Sequence, residues 1–160
     1  MVGVEISPEV AREAQDRGCY DRVVVGDAEC IINKEGDDDG DIGGGYDLVV
    51  GCDLFAYIAD VRSLFSTAKR SLESKGGTFA FSAEILNESI DDSKEEDDED
   101  TGFVMQSCAR FAHKRWYIDS LAEAFGFETL SFTGSTVLRQ HSGKDVLGAL
   151  IVLSLPSINT

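Results

Sequence analysis

The chain has 160 residues, 42% hydrophobic and 9% aromatic, which suits one domain with a buried core and excludes a disordered polypeptide. Acids outnumber bases 30 to 14 for a formal charge of -16, so no basic stripe exists to replace phosphate counterions, and duplex DNA or RNA is not an expected partner. No apolar run approaches the roughly 18 residues of a membrane span, and the N-terminus lacks the basic region of a signal peptide; the expectation is a cytoplasmic chain with no membrane contact.

Val2, Val4 and Ile6 read as a buried strand with Glu5 at its carboxyl end. Ser7 is a suitable N-cap, Pro8 suits the first helical turn, and Glu9 complements the helix dipole, so a helix is predicted over 8–17 with Gly18 as its stop. Val23-Val24-Val25 is a second buried strand ending at Gly26-Asp27-Ala28-Glu29, and 30–33 is predicted as a short helix or partial turn. The stretch 34–45, with Asp37, Asp38, Asp39 and Asp41 among its glycines, reads as a flexible acidic insertion. A third strand is predicted over 46–52, followed by Asp53-Leu54-Phe55-Ala56-Tyr57.

Asp60 is placed to cap a helix over 61–72 whose apolar face is Val61, Leu64, Phe65, Ala68 and Leu72. Gly76-Gly77 turns the chain into a strand over 78–82. A second acidic insertion, about 88–101, holds a dense run of aspartate and glutamate and is expected to lack order. Residues 103–113 read as a structured loop or short strand, and 114–125 as a helix closed by Gly126. Strands follow over 127–133 and 146–155, with Val137-Leu138-Arg139 between them and a turn at Ser142-Gly143-Lys144-Asp145. Cys19, Cys30, Cys52 and Cys108 show no C-x-x-C spacing, so reduced thiols are expected and no metal site.

This alternation predicts a single α/β domain over 1–160, with a mostly parallel sheet, helices on both faces and a C-terminal antiparallel hairpin. In such sheets ligands sit outside the carboxyl ends of the strands. Glu5, Asp27 and Asp53 stand at or just beyond three such ends. Glu5 can accept two hydrogen bonds from a ribose diol, and Asp27 one from an adenine amino group, with the Ala28 N–H facing the ring. Asp53 sits where the amino-acid or sulfonium end of a cofactor lies. The alternative for each acid is a cap on the turn that follows its strand.

Taken together, Val2-Gly3-Val4-Glu5-Ile6-Ser7-Pro8, Gly26-Asp27-Ala28-Glu29, Tyr46-Asp47-Leu48-Val49-Val50 with Asp53-Leu54 and Tyr57, Gly76-Gly77 and Phe81-Ser82 resemble class I S-adenosylmethionine-dependent methyltransferases. The nearest likeness is to the small-molecule type found in predicted methyltransferases associated with tetratricopeptide repeats, with further likeness at Gln106 to Tyr117 and Ala124-Phe125-Gly126-Phe127-Glu128. The resemblance implies a Rossmann-like fold and S-adenosyl-L-methionine as cofactor. It assigns Glu5 to the ribose, Ile6 to packing on adenine, Asp27 and Ala28 to the adenine edge, and Asp53-Leu54 to the methionine part. The family's first strand, its glycine-rich loop and the following helix have no counterpart ahead of Glu5. The expectation is therefore a domain lacking its usual first βα unit, with two strand edges left open for a partner or for self-association.

A small-molecule methyl acceptor is expected. His113 is the candidate general base, Tyr57 and Tyr117 are positioning hydroxyls, and Arg110 is an anchor for an acidic substrate. For His113 the alternative is a ring bonded to a backbone carbonyl, and Trp116 is expected in the core. Two further functions stand beside methyl transfer: a non-catalytic module that keeps the fold and docks through its acidic loop, and a nicotinamide-dependent oxidoreductase. Glycines before 78–82 and the acid after the third strand fit the latter less well.

Overall fold

The computed structural model describes residues 1–30, 44–86 and 101–157. The acidic insertions expected at 34–45 and 88–101 lie outside the described residues apart from Gly44, Gly45 and Thr101. Of the turn expected at 30–33, only Cys30 is described, its N–H donating to Asp27 O at 3.0 Å.

Strand β1 (Val2–Glu5) runs into helix α1 (Pro8–Asp16) through the expected cap: the Ser7 Oγ accepts from Val10 N, and Pro8 opens the first turn. Strand β2 (Arg22–Val25) returns beside β1 in parallel, with Glu5 opposite Val25. Strand β3 (Leu48–Gly51), a 3-10 turn at Phe55–Tyr57, helix α2 (Arg62–Leu72) and strand β4 (Gly77–Ala83) form a second parallel unit. The N-cap of α2 is Val61, one residue later than the expected Asp60, whose carboxylate accepts from Arg62 N at 3.0 Å from just ahead of the cap. Gly76 closes the unit at φ 75°, where a Cβ would meet Leu155 O at 2.6 Å, so no other residue fits that turn without backbone movement.

Residues 103–113 form a hairpin of strands β5 (Phe103–Met105) and β6 (Phe111–His113). Helix α3 (Arg115–Phe125) follows and ends on Gly126 in the left-handed conformation. The two closing strands are longer than expected: β7 (Glu128–His141) runs unbroken to the Ser142-Gly143 turn, and β8 (Lys144–Leu155) pairs with it antiparallel. Register shifts between Thr129 and Ser131, Thr133 and Thr136, and Val137 and Arg139 absorb the irregular pattern that reads in sequence as separate pieces.

The parallel units do not share one ladder. The order β3-β4-β8-β7 makes one sheet, while β1-β2 stand as a separate pair. Among the described residues β1 pairs only with β2, and β3 only with β4, so each has one edge without a strand. The pair is tied to the larger unit through side chains: Ser63 Oγ in the first turn of α2 donates to Glu29 Oε1 at 2.8 Å, and Ala28 packs on the main core.

That core lies between the large sheet and helices α2 and α3. Phe79 and Phe81 of β4 and Ile151 and Leu153 of β8 meet Leu64, Phe65 and Leu72 of α2 and Ile118 and Leu121 of α3. Phe55 stacks on Phe81 at 4.2 Å between ring centroids, and Phe65 meets Phe55, Phe79 and Phe81 at steep angles. Leu48 and Val50 of β3 and Leu150 of β8 point the other way and stay exposed. No described helix is long and apolar enough to cross a membrane.

Candidate functional site

Parallel strands bring their carboxyl ends to one rim. Glu5 and Asp27 are neighbours there, since β1 and β2 pair in register and Gly26 N donates to Glu5 O at 3.0 Å. Each carboxylate also serves its own turn: Glu5 Oε1 accepts from Ser7 N at 2.9 Å, and Asp27 Oδ1 accepts from Glu29 N at 2.9 Å. Beside them Ile6 is 69% exposed, an apolar surface without a described cover, and Ala28 is half-buried. Because Glu29 bonds to the first turn of α2, this rim stands at the same end of the molecule as the carboxyl end of β3.

There Asp53 takes an uncommon backbone conformation, φ 53°, fixed by a bond from its N–H to Ser82 Oγ of β4 at 2.9 Å. Arg110, in the turn of the β5–β6 hairpin, donates from Nη1 to Asp53 Oδ1 at 3.3 Å and lies 4.5 Å over the Tyr57 ring. Tyr57 is exposed, and Leu54 between them is half-buried against the core. Three of the residues singled out in sequence, Asp53, Tyr57 and Arg110, therefore meet in one cluster although 57 positions separate Asp53 from Arg110.

His113 and Tyr117 do not join it. The His113 side chain is fully buried, with Nε2 3.1 Å from the carbonyl oxygens of Ile58 and Ala59, and its ring stacks on Tyr117. Burial lowers its pKa below the usual histidine value, outweighing the carbonyl bonds and the Glu84 and Asp60 charges, so the ring is neutral and donates from Nε2. In this geometry His113 pins the base of the hairpin and is not set out as a general base. Tyr117 donates its hydroxyl to Asp60 Oδ1 at 2.6 Å; burial first, then that bond, raises its pKa, and it stays protonated. Burial acts against Asp60, but the Tyr117 and Arg62 bonds outweigh it and hold its carboxyl below the usual range.

Tyr117 lines a cleft of about 290 Å³ with Asp60, Arg62, Phe103 and Trp116, and neither Asp53 nor Arg110 is part of its wall. Trp116, expected in the core, is 45% exposed because it follows the α3 cap on the outer side of the helix.

The neutral His113 makes a pH prediction. Unfolding releases a ring with an ordinary pKa near 6.5, which binds protons before the folded ring does. The contribution is fully present above that value and is lost as pH falls from about 6.5 toward the lower folded pKa. Urea midpoints measured from pH 7 to 5 are expected to fall, with a smaller slope in His113→Gln.

One group escaped the sequence reading. Glu84 stands just past the end of β4, much as Glu5 closes β1, and it is 2% exposed. Arg139 of β7 donates to its Oε1, from Nη2 at 2.5 Å and Nε at 3.2 Å, and Gln106 Nε2 donates to Oε2 at 3.1 Å. The signal was present, an acid closing an apolar strand, but its partner lies 55 residues away. Among the described residues no cluster of His, Cys, Asp and Glu has the makings of a metal site.

No family model and no curated protein matches the sequence. Solved structures do match. A SAM-dependent methyltransferase from Methanosarcina mazei aligns over 98% of this chain and 82% of its own, at 16% identity and TM-score 0.66. A S-adenosylmethionine-dependent methyltransferase from Clostridium acetobutylicum aligns over 98% and 75%, at 17% identity and TM-score 0.61. The 1,6-didemethyltoxoflavin-N1-methyltransferase of Burkholderia thailandensis, solved with 1,6-didemethyltoxoflavin and S-adenosylhomocysteine, aligns over 98% and 61%, at 14% identity and TM-score 0.59. Identity at this level speaks for architecture: the chain has the fold of the class I S-adenosylmethionine-dependent methyltransferases.

Proposed function

We propose that the chain binds S-adenosyl-L-methionine at the strand-end rim and transfers its methyl group to a small-molecule acceptor. The observation that carries the reading is that Glu5 ends β1 opposite Val25 of the parallel β2, with Asp27 two residues past Val25 and Ile6 exposed next to Glu5. These groups suit adenosine: acceptors for the ribose diol and the adenine amino group, with an exposed apolar side chain next to Glu5. Asp53 and Leu54 are assigned to the methionine end. The cofactor supplies a methyl group already activated by its sulfonium. The chain's own task is therefore to hold the acceptor in line, and Tyr57 and Arg110 are the residues assigned to that. No buried base is required for an acceptor that is already a free nucleophile.

Calorimetry with S-adenosylhomocysteine on the 160-residue chain is the test. Saturable binding is expected, weakened by about 1–3 kcal/mol in Glu5→Ala, the cost of losing hydrogen bonds to a charged group. Binding that is absent, or unchanged in Glu5→Ala, would remove the rim from consideration.

A second reading has its own observation. Among the described residues the outer edges of β1 and β3 carry no strand, and such edges are templates for strand addition, as suits a non-catalytic module of the same fold that engages another chain. A protein that binds no adenosyl ligand yet elutes as a dimer or a complex supports this alternative.

A further inference from the structure

We propose that Glu84 is a positioning residue for methyl-acceptor binding: acting through Gln106, its buried carboxylate sets where the Arg110 guanidinium stands on the rim. The proposal rests on the reading that assigns Arg110 to the acceptor, and deepens it by naming what holds that residue.

Glu84 stands just past β4 and its charge lies in the interior, with its two oxygens divided between two elements. Oε1 accepts from Nε and Nη2 of Arg139 on β7, and Oε2 accepts from Gln106 Nε2 at 3.1 Å. Arg139 reaches the same turn a second time, its Nη2 lying 3.9 Å from Cys108 Sγ. Gln106 closes the β5–β6 connection: its N–H donates to Arg110 O at 2.8 Å, and its carbonyl accepts from Ala109 N at 2.9 Å. Ala109 holds the left-handed conformation that so tight a turn requires, at φ 57°. Gln106 and Arg110 therefore face each other across one turn, and a shift of the first moves the second.

The β5–β6 ladder joins the two arms of the hairpin but does not tie its tip to the sheet. On the solvent side Arg110 makes one hydrogen bond, to Asp53 Oδ1 at 3.3 Å, and rests on the Tyr57 ring. Both partners are exposed, and contacts of that kind hold little. The firm attachment is on the buried side. A buried ion pair is a weak device for stability alone, because an apolar pair of similar volume serves as well. An apolar pair offers no acceptor to Gln106 Nε2, however, and the tip would then lose its anchor. The buried carboxylate is thus accounted for by what it places.

The full chain is compared with Gln106→Leu, which removes the link and leaves the Glu84–Arg139 pair intact, and with Glu84→Met/Arg139→Met, which removes the acceptor and keeps the interior apolar. Thermal melting confirms folding; if the double variant does not fold, Gln106→Leu decides alone. Two signals are read by NMR: the Arg110 Nε–Hε resonance, displaced by the Tyr57 ring current, and hydrogen exchange of the amide at position 106. In both variants the resonance is expected to move toward that of a free arginine. Exchange at position 106 is expected to speed up by about tenfold or more while β4 and β8 amides keep their wild-type rates. An unmoved Arg110 resonance in either folded variant overturns the proposal. So does a uniform rise in exchange across the turn, β4 and β8, which marks a loss of global stability only. S-adenosylhomocysteine titrated calorimetrically into wild type tests the reading beneath. No binding there removes the acceptor assignment of Arg110, while the two NMR signals still decide whether Glu84 positions it.

Discussion

Arg139→Met is expected to lower the unfolding free energy by about 3–5 kcal/mol, because it strands the Glu84 charge in the interior. Glu84 is 2% exposed and the Arg139 side chain 15% exposed, so neither can turn to water without moving the β7 strand or the hairpin tip. Gln106 would remain bonded to Oε2, but one neutral donor does not offset a full negative charge in an apolar setting. The bonds to Glu84 outweigh burial and hold Arg139 firmly protonated, which is the other face of the same coupling. Replacing both residues by Met is expected to recover most of the loss, since two apolar groups need no partner. Urea unfolding of the two single variants and the double variant gives the coupling directly. Additive effects would show that the pair is not a buried ion pair in solution.

Phe55→Ala is expected to cost about 3–5 kcal/mol, in the range for removing a large aromatic from a packed core. Phe55 is fully buried, stacked on Phe81, with Phe65 and Phe79 at its edges. Its place in the chain adds a functional consequence: it anchors the turn that carries Asp53 on one side and Tyr57 on the other. Loss of the ring is expected to lower the unfolding midpoint and to weaken S-adenosylhomocysteine binding together. A variant that loses stability while keeping full affinity would show that Asp53 and Tyr57 are held by Ser82 and Arg110 alone.

Local signals in the sequence carried the elements well. Ser7, Pro8 and Gly126 each act where helix-end chemistry puts them, and the strands β1 to β4 follow apolar runs. Cap rules work because a helix end has only a few ways to satisfy its free N–H and C=O groups. The limits appear where partners are distant in sequence. The 14-residue β7 reads as pieces because bulges break its alternation, and its pairing with β8 is what makes it one strand. The separation of β1-β2 from the large sheet depends on which edges meet, which composition does not encode.

The candidate site divides in the same way. Glu5, Asp27 and Asp53 were legible as acids closing strands. That Asp53 would face Arg110, and that His113 would be a core ring under the hairpin, depends on how 103–113 folds back over β4. A histidine ahead of a helix reads the same in sequence whether it faces a substrate or two backbone carbonyls. Glu84 shows the converse: the strand-end rule applied to it as well, yet burial turned it into a structural charge.

The proposed adenosyl ligand would lie across the carboxyl ends of β1, β2 and β3. Amide chemical-shift mapping of the 160-residue chain with S-adenosylhomocysteine reads that placement residue by residue. Saturable shifts are expected at Glu5 to Ser7, Gly26 to Ala28 and Cys52 to Leu54, with Arg110 following. No saturable shift, or shifts confined to the Leu48, Val50 and Leu150 side of the large sheet, would contradict it.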